Sequence, residues 1–547
     1  MGISSYYGRS KAQGSTQKVM LNLGEGLNEF LPPMSIRDGQ LSACKNFYSP
    51  DGTSLQTVIQ IDPVEAVIVP TGNMIHYGIS DTSPSIFVDN TAGTLKYFSF
   101  AGNNVDISSY GLYGETYMDV IPWAKQAADY YYYFPVAENA FISAMKLTPT
   151  SFAITKIDIP FNFKSGALYS YRLFALDDKN TLWWSAGGNE YSWYGSTPDN
   201  QYVAEDAGYW YIPDIDVMQA IVAFRDGLYI FGAENIWLFS GYSPETFALT
   251  KVVSGIGLGQ FNKDRFAEHD GLLYFSDGSK VYAYNGNSIP TIISEPIISN
   301  GSVINGTTCG IKPTTGYMST VEYPVSMASD NNYLYLYDSY IWYNTNTLYN
   351  PILTNWIYIY DFARRTWFKR QGFKQLGTTY TIMEVFTAKN LQGNVQWAMN
   401  VKNGTNNIFY IDMAHPSTGY DGADYESFFV TKAFMNSPSS NQTVSGFYMT
   451  WQAIDELDTN MEVYVSDSAK QQSSDEMLAD LDWDNFTRVY SMSSYVSNQQ
   501  PQVVFIPMPS NFTTSNTPFF RIAVKVKGCQ VVIYNMEIHY RIKGASR

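Results

Sequence analysis

The chain is most constrained by a pair of predicted strands that occurs twice near its middle. The first copy covers residues 226–241 and the second covers residues 270–286. Each copy opens with an Asp-Gly pair and continues as two apolar runs joined by a short polar turn, and the two Asp-Gly pairs, at 226 and 270, are 44 residues apart. Such a period built from strands is typical of β-propeller blades, because one four-stranded sheet buries both faces only when neighbours stack on it.

Predicted hairpins of the same kind fill most of residues 56–420. Alternating apolar and polar residues bounded by Gly, Asn and Asp indicate strands joined by short turns. Examples lie at residues 85–98, 171–185 and 395–412, and a degenerate copy of the repeat covers 330–337 and 356–367. We therefore predict an all-β protein with a β-propeller of six or seven blades and an insertion near 338–355. The alternative is a β-sandwich in which two hairpins are similar by chance.

The two ends of the chain differ from this repeated region. Residues 1–55 are rich in Gly and Ser and contain a Pro-Pro pair, which predicts an extended N-terminal arm that docks on another surface. Residues 421–547 lack the repeated turns and predict a C-terminal β-sandwich with a short helix at 475–481. The predicted strands of this region are 428–434, 446–451, 461–465, 503–506, 519–526 and 531–542.

Composition narrows the classes of function. The chain has 50 Asp and Glu against 34 Lys and Arg, a net charge of −16, which disfavours a nucleic-acid binder because such proteins need a basic face. Aromatic residues make up 16% of the chain, a content that suits half-buried sheets and large interfaces. No apolar run is long enough to span a bilayer, and no secretory apolar region is found, so we expect assembly in the cytoplasm.

Few residues suggest a chemical reaction. The three Cys and four His are too far apart in sequence for a cysteine zinc site or a paired-histidine site. The Gly-rich residues 255–259 precede no predicted helix, so we interpret them as a turning loop and not as a phosphate site. His269 and Asp270 are neighbours in a predicted strand and point to opposite faces, so they form no catalytic pair. We predict no catalytic, cofactor-binding or metal-binding residue.

Two kinds of charged cluster leave alternatives open. Acidic residues at 177–178, 214–216 and 455–458 suit a glycosidase, which uses two carboxylates, and suit turns or solvated surface equally well. Basic and aromatic residues alternate between 364 and 374. They could contact a nucleic-acid backbone, although a solvated blade edge or a subunit contact is the more usual role of such a strand.

Three stretches resemble the β-propeller tail proteins of short-tailed bacteriophages, known as tail hub, nozzle or tail accessory (stabilisation) proteins. In the first stretch Gln40 stands where the family more often has Glu. The second and third stretches are similar to two of the family's apolar blade patterns. The matching residues are Gly26-Leu27-Asn28, Pro32, Ile36-Arg37-Asp38-Gly39-Gln40 and Asn46; then 172–175, 180–186 and 189–193; then 221–231 and 236–238.

The resemblance implies a non-enzymatic structural protein of the virion tail, without a cofactor. Members of the family form rings, commonly homohexamers, that continue the DNA channel below the portal and adaptor, retain the genome and let it pass on ejection. The implied partners are further copies of the chain, the portal, the adaptor and other tail proteins, packaged DNA without sequence-specific contact, and tail fibres or a needle. An acidic chain suits a lumen that repels DNA. The alternative is a carbohydrate-active or glycan- or receptor-binding β-propeller of the virion.

Overall fold

The protein is all-β, and its described strands form separate antiparallel sheets, mostly of four strands, in a β-propeller-like arrangement. The described residues also include the short 3-10 helices Leu23–Glu25 and Glu295–Ile297. No helix in the described part of the chain is long and apolar enough to cross a membrane. The computed structural model describes residues 16–58, 66–70, 73–78, 86–91, 94–99, 104–106, 116–125, 128–136, 143–148, 153–194, 206–258, 266–277, 280–297, 303–304, 307–308, 326–337, 340–345, 348–353, 356–371, 380–389, 395–403, 406–410, 426–435, 442–454, 458–467, 483, 486–495, 500–510 and 519–542.

Four short strands come first along the chain: β1 (Thr16–Leu21), β2 (Leu41–Lys45), β3 (Phe47–Tyr48) and β4 (Leu55–Thr57). One further strand, β5 (Ala66–Pro70), follows them. Five four-stranded sheets then follow in chain order, each built from consecutive strands. They are β6 (Asn73–Gly78), β7 (Ile86–Thr91), β8 (Thr94–Ser99) and β9 (Asn104–Asp106); β10 (Thr116–Lys125), β11 (Ala128–Val136), β12 (Ser143–Thr148) and β13 (Ala153–Asp158); β14 (Phe163–Tyr169), β15 (Arg172–Asp177), β16 (Thr181–Trp184) and β17 (Gly208–Tyr211); β18 (Met218–Phe224), β19 (Gly227–Gly232), β20 (Asn235–Ser240) and β21 (Ala248–Ser254); β22 (Phe266–His269), β23 (Leu272–Ser276), β24 (Val281–Tyr284) and β25 (Thr291–Ile292).

The next region interleaves two sheets. One consists of β26 (Val303–Ile304), β27 (Thr307–Thr308), β30 (Tyr340–Thr345) and β31 (Leu348–Leu353), and it contains the insertion predicted near 338–355. The other consists of β28 (Ser326–Ser329), β29 (Tyr333–Tyr337), β32 (Trp356–Asp361) and β33 (Thr366–Gln371). A further sheet contains β34 (Tyr380–Lys389), β35 (Val395–Asn403) and β36 (Asn406–Tyr410), and its fourth strand is the early strand β5.

In the sheet of β14–β17 and the sheet of β18–β21, how deeply a strand is buried depends on its position in the sheet. Every residue of the second strands β15 and β19 is buried, whereas the outer strands β17 and β21 are largely exposed. A strand buried on both faces needs a packed neighbour on each side, so this gradient fits sheets that stack face to face. First strands also contact each other across sheets, at β6 and β10, β10 and β14, β14 and β18, β22 and β28, and β28 and β34.

Serine side chains connect first strands at two of these contacts. The hydroxyl of Ser165 in β14 accepts a hydrogen bond from the backbone amide of Ile221 in β18 at 3.0 Å. The hydroxyl of Ser326 in β28 accepts one from the amide of Val385 in β34 at 2.9 Å. The same residue type therefore satisfies a buried backbone donor in two separate places, as the low tolerance for unpaired buried amides requires.

The last strands and the N-terminal strands share two sheets. Strand β33 is extended by β3, β4, β44, β39 and β42 into one ten-stranded sheet, to which β1 adds by pairing with β44. The second sheet has the order β2, β37, β43, β40 and β41, with β38 pairing β43. The C-terminal strands are β37 (Glu426–Thr431), β38 (Phe434–Met435), β39 (Gln442–Ala453), β40 (Asp458–Ser466), β41 (Thr487–Tyr495), β42 (Gln502–Pro507), β43 (Phe519–Lys527) and β44 (Val531–Ile542).

Candidate functional site

The N-terminal residues that carry the family resemblance lie where the propeller-like sheets meet the C-terminal strands. The backbone amide of Leu27 donates to the carbonyl of Trp367 in β33 at 2.7 Å. The amide of Asn46 donates to the carbonyl of Lys369 at 3.0 Å, and its side chain donates to the carbonyl of Glu426 in β37 at 2.8 Å. Asn46 therefore joins both parts of the chain from one left-handed position, with φ 58°.

Glycine and amide side chains allow this close contact. Gly26 has φ 84°, and a Cβ atom there would lie 2.8 Å from the Cβ atom of Thr366, so a larger residue is excluded by both conformation and space. The Gln40 side-chain oxygen accepts from the Asn28 side chain at 3.3 Å and from the Arg37 amide at 3.0 Å. Glutamine thus supplies the acceptor that a glutamate would supply at this position.

The described acidic clusters are occupied by structural hydrogen bonds. One carboxylate oxygen of Asp177 accepts from two backbone amides of its own turn, and the other accepts from the indole N–H of Trp183 at 3.0 Å. The carboxylate of Asp214 accepts from the indole of Trp237 at 2.9 Å and pairs with Lys251 at 2.7 Å. Of the two roles left open by the sequence, these contacts favour the turn role. Residues 455–457 lie outside the described residues, as does the helix predicted at 475–481.

The Asp-to-aromatic contact recurs in other sheets. Asp277 accepts from the hydroxyl of Tyr282 at 2.8 Å, and Asp330 accepts from the hydroxyl of Tyr335 at 2.8 Å. In both residues the second carboxylate oxygen accepts from backbone amides of the turn. A spacing of Asp followed five or six residues later by Tyr or Trp was the available signal, and analysis of the sequence alone missed it.

We expect Asp330→Ala to lower the free energy of unfolding by about 2 kcal/mol, because it leaves turn amides and a buried hydroxyl without their acceptor. Tyr335→Phe removes only the hydroxyl and is expected to cost about 1 kcal/mol. Denaturant unfolding of the two variants and of the double variant measures the coupling. If the two losses simply add, the hydrogen bond between Asp330 and Tyr335 contributes nothing to stability and its proposed structural role is contradicted.

The basic cluster divides into a buried part and an exposed part. Lys369 and Arg370 are only 3% and 5% exposed, so the expectation of a solvated edge is wrong for them. The reason is that N-terminal residues cover β33: the Lys369 ammonium lies 3.9 Å from the carboxylate of buried Glu29. Arg364 and Arg365, in the turn before β33, are exposed. The buried members are therefore unavailable to a nucleic-acid backbone.

The exposed members border a cleft between the sheet of β22–β25 and the sheet of β28, β29, β32 and β33. Its volume is about 700 Å³, within the range of small-ligand sites. The turn at Asp270 lines one side, and the turn that holds Arg364 and Arg365 lines the other. Nothing in the sequence connected these two turns, whereas in the structure both line the same cleft. The rings of His269 and Phe362 stack in the cleft, with centroids 3.9 Å apart and an interplanar angle of 5°.

The two arginines of the cleft differ in their bonding. The Arg364 guanidinium pairs with Asp361 at 2.5 Å and donates to the carbonyl of Pro50 at 3.1 Å. For Arg365, no side-chain hydrogen bond or ion pair is found within the described part of the chain. The same holds, within those residues, for the carboxylate of Asp270. One cation and one anion of the cleft are therefore free for a ligand.

Tyr274 and Tyr360 are among the tyrosines that line this cleft together with Arg365 and Asp270. Burial raises the pKa of Tyr274, with the charge of Arg365 opposing the rise and that of Asp270 adding to it. Burial also raises the pKa of Tyr360 to about 12, and Arg365 again opposes the rise. Both phenols are thus neutral hydrogen-bond donors at ordinary pH, and both lie within electrostatic reach of the same guanidinium.

The remaining candidates take structural positions. Gly255 has φ 79°, and the amide of Leu258 donates to the carbonyl of Gly232 at 2.9 Å, which fits the predicted turning loop. His269 ends β22, and Asp270 begins the following turn with φ 52°. Among the described residues, no group of three His, Cys, Asp or Glu side chains could hold a metal ion. Cys44 and Cys529 are buried free thiols.

Comparisons with known proteins give a distant likeness in structure. No protein-family model and no curated protein matches the chain. A solved structure described as the crystal structure of the mitotic checkpoint complex has a TM-score of 0.39 and 7% sequence identity. The match covers 64% of this chain and 93% of the other.

Proposed function

We propose that the protein is a structural component of a bacteriophage tail, in which several copies, six by the family resemblance, form a ring around the DNA channel. The ring would continue the channel below the portal and adaptor, retain the packaged genome and let it pass on ejection. Other tail proteins would contact its outer surfaces, and the protein would have no catalytic role. Assembly in the host cytoplasm and residence in the virion tail follow from this role.

The observation that carries the proposal is the position of the N-terminal resembling residues. They join a propeller-like sheet to the C-terminal strands through Leu27 and Asn46. A channel component transmits mechanical force between its propeller-like part and its C-terminal part. A continuous ten-stranded sheet that runs through β3 and β4 and includes strands of both parts suits that task. The net charge of −16 adds support, because a negative lumen repels DNA and lets it slide.

A finer architecture accompanies the proposal: seven blades and a C-terminal β-sandwich. The blades would be the five consecutive sheets from β6 to β25, the sheet of β28, β29, β32 and β33, and the sheet of β34, β35, β36 and β5. The strand β5 directly precedes β6 along the chain and pairs with β36. Such a pairing would close the circle of blades and remove exposed edges. The strands β26, β27, β30 and β31 would be an insertion.

Mass photometry and negative-stain imaging of the purified protein, at low and high concentration, test the ring. The expected result is a closed ring of about six copies, as in the resembling family, with a central hole wide enough for duplex DNA. Because ring assembly can depend on a template, the same measurement is repeated with portal and adaptor proteins of a short-tailed phage. A monomer in every condition, including the templated one, would contradict the proposal.

The net charge of the surface that lines the central hole provides a second measurement on the same particles. A cryo-electron microscopy map of the ring should place a net-negative surface towards the hole. A net-positive lumen that retains duplex DNA at physiological salt would overturn the conduit role, because a gripping channel opposes ejection.

A further inference from the structure

The cleft between the two sheets combines an aromatic wall with free polar groups. The stacked rings of His269 and Phe362 form the wall, and the ring of Tyr274 lies 5.1 Å from that of Phe362. Around the wall are a free guanidinium on Arg365 and a free carboxylate on Asp270, as far as the described residues extend. Aromatic surface beside polar groups that fix the orientation of a ligand is a common feature of binding sites.

We propose that this cleft binds a neutral oligosaccharide. The apolar face of one sugar ring would pack on the aromatic wall. The Asp270 carboxylate would accept hydrogen bonds from sugar hydroxyls, and the Arg365 guanidinium would donate to sugar oxygens. The contacts within the cleft that support this site do not depend on the proposed ring.

The lining favours sugars over other ligand classes. The lining includes asparagine, serine and threonine, at Asn331, Asn332, Ser288 and Thr291, and such groups both donate to and accept from hydroxyls. A nucleic acid or an acidic peptide would need an excess of free cations. Here Arg364 is already paired with Asp361, so the one free guanidinium is balanced by the one free carboxylate of the described lining.

The turn geometry keeps the proposed binding groups in place. Asp270 and Gly271 have φ values of 52° and 67°, the left-handed pair of a tight hairpin turn. The Arg225 guanidinium donates to the carbonyl of Gly271 at 2.7 Å, which ties this turn to the preceding sheet. On the other side, the amide of Arg365 donates to the carbonyl of Asp361 at 2.7 Å. A preorganised site loses less entropy on binding than a mobile one.

Isothermal titration calorimetry on the full chain tests the site. Soluble fragments of dextran, mannan and galactan serve as neutral probes, and fragments of alginate serve as the carboxylated probe. At least one neutral probe should bind with a millimolar or lower Kd. Failure of all three neutral probes to bind at millimolar concentration overturns the proposal and leaves the ring proposal unaffected.

Two exposed substitutions locate the binding. Arg365→Gln and Asp270→Asn should each weaken the neutral probe about tenfold or more, the usual effect of losing a hydrogen bond to a charged group. Asparagine tolerates a left-handed backbone, so Asp270→Asn should leave the turn intact. Arg488→Gln, an exposed change in β41 that removes the pairing with Glu462, is the matched control and should leave the Kd unchanged.

The same variants distinguish neutral from acidic ligands. If the cleft instead served carboxylated sugars, Asp270→Asn would remove a repulsion and strengthen alginate binding. That result would overturn the proposal, as would equal weakening of neutral-probe binding by Arg488→Gln and Arg365→Gln. Thermal unfolding of each variant without sugar confirms that any change in Kd arises in a folded protein.

Discussion

Raising the pH above 10 is expected to unfold the protein before the pH reaches about 12. Burial raises the pKa of four tyrosine hydroxyls to about 12 from an ordinary value of 10.0: Tyr284, Tyr333, Tyr360 and Tyr540. In the unfolded chain these hydroxyls lose their protons near pH 10. The native state keeps them over the same range, so the free energy of unfolding falls as the pH rises from 10 towards 12.

The size of this effect follows from the number of such tyrosines. Each pKa unit of difference between native and unfolded states corresponds to about 1.4 kcal/mol. Solvent screening reduces the contribution of Tyr333, the most exposed of the four. Even after that reduction, the combined loss in the free energy of unfolding from the four tyrosines is comparable to the whole stability of an ordinary domain, about 5–15 kcal/mol. The stability should be fully retained below pH 10.

Denaturant midpoints measured in pH steps from neutrality upwards, with tyrosinate absorbance recorded in parallel, test this expectation. Unfolding and the late part of tyrosinate formation should coincide. Tyr360→Phe should make the free energy of unfolding fall less steeply with pH above 10. Tyr171→Phe, at a position that is 81% exposed, should leave that slope unchanged. The expectation fails if all tyrosines ionise near pH 10 while the fold persists.

The hairpins could be predicted from sequence because their signals are local. The hairpin predicted at 171–185 contains β15 and β16, and the two apolar runs of each repeat copy become β19 and β20, then β23 and β24. The Asp-Gly pairs, however, take different positions in their turns. Asp270-Gly271 forms the turn centre, whereas Gly227 already pairs with Phe224 in the ladder. Equivalent sequence positions therefore differ by one residue in register.

The role of the N-terminal segment could not be predicted from sequence. Residues 1–55 were expected to form an extended arm, and the structure pairs strands within residues 16–57 with β33, β37 and β44. These partners lie hundreds of residues away along the chain, so no local pattern reports them. The strand β41 was also missed, because its polar, half-exposed residues give a weak alternation signal.

The cleft shows the same limit of local reasoning. His269 and Asp270 alone gave no convincing site, since neighbours in a strand point apart. In the structure the ring of His269 stacks on that of Phe362, and Asp270 and Arg365 line the same cleft, because two sheets lie side by side. Burial of Lys369 and Arg370 was likewise missed, because the covering N-terminal residues are remote in sequence.

Replacing Trp367 by alanine is expected to lower the free energy of unfolding by about 3–5 kcal/mol, the usual cost of truncating a buried tryptophan. Trp367 is 1% exposed, and its ring lies 4.9 Å from that of Tyr360. Its indole N–H donates to the carbonyl of Ile293 at 2.7 Å, and its own carbonyl accepts from the amide of Leu27. The side chain of Trp367 thus supports the contact of β33 with the neighbouring sheet, and its backbone carbonyl bonds the N-terminal segment.

Two further variants separate packing from hydrogen bonding. Trp367→Phe keeps much of the ring and loses the donor to Ile293, so it should cost clearly less than Trp367→Ala, with about 1 kcal/mol from the hydrogen bond itself. Trp210→Ala, at a position that is 38% exposed in the outer strand β17, is the control for loss of a tryptophan. Equilibrium denaturant unfolding with matched slopes compares all three with the parent chain. If Trp367→Ala destabilised no more than Trp210→Ala, packing of the Trp367 ring between β33 and the neighbouring sheet would not stabilise the fold, and the role assigned to this side chain would be wrong.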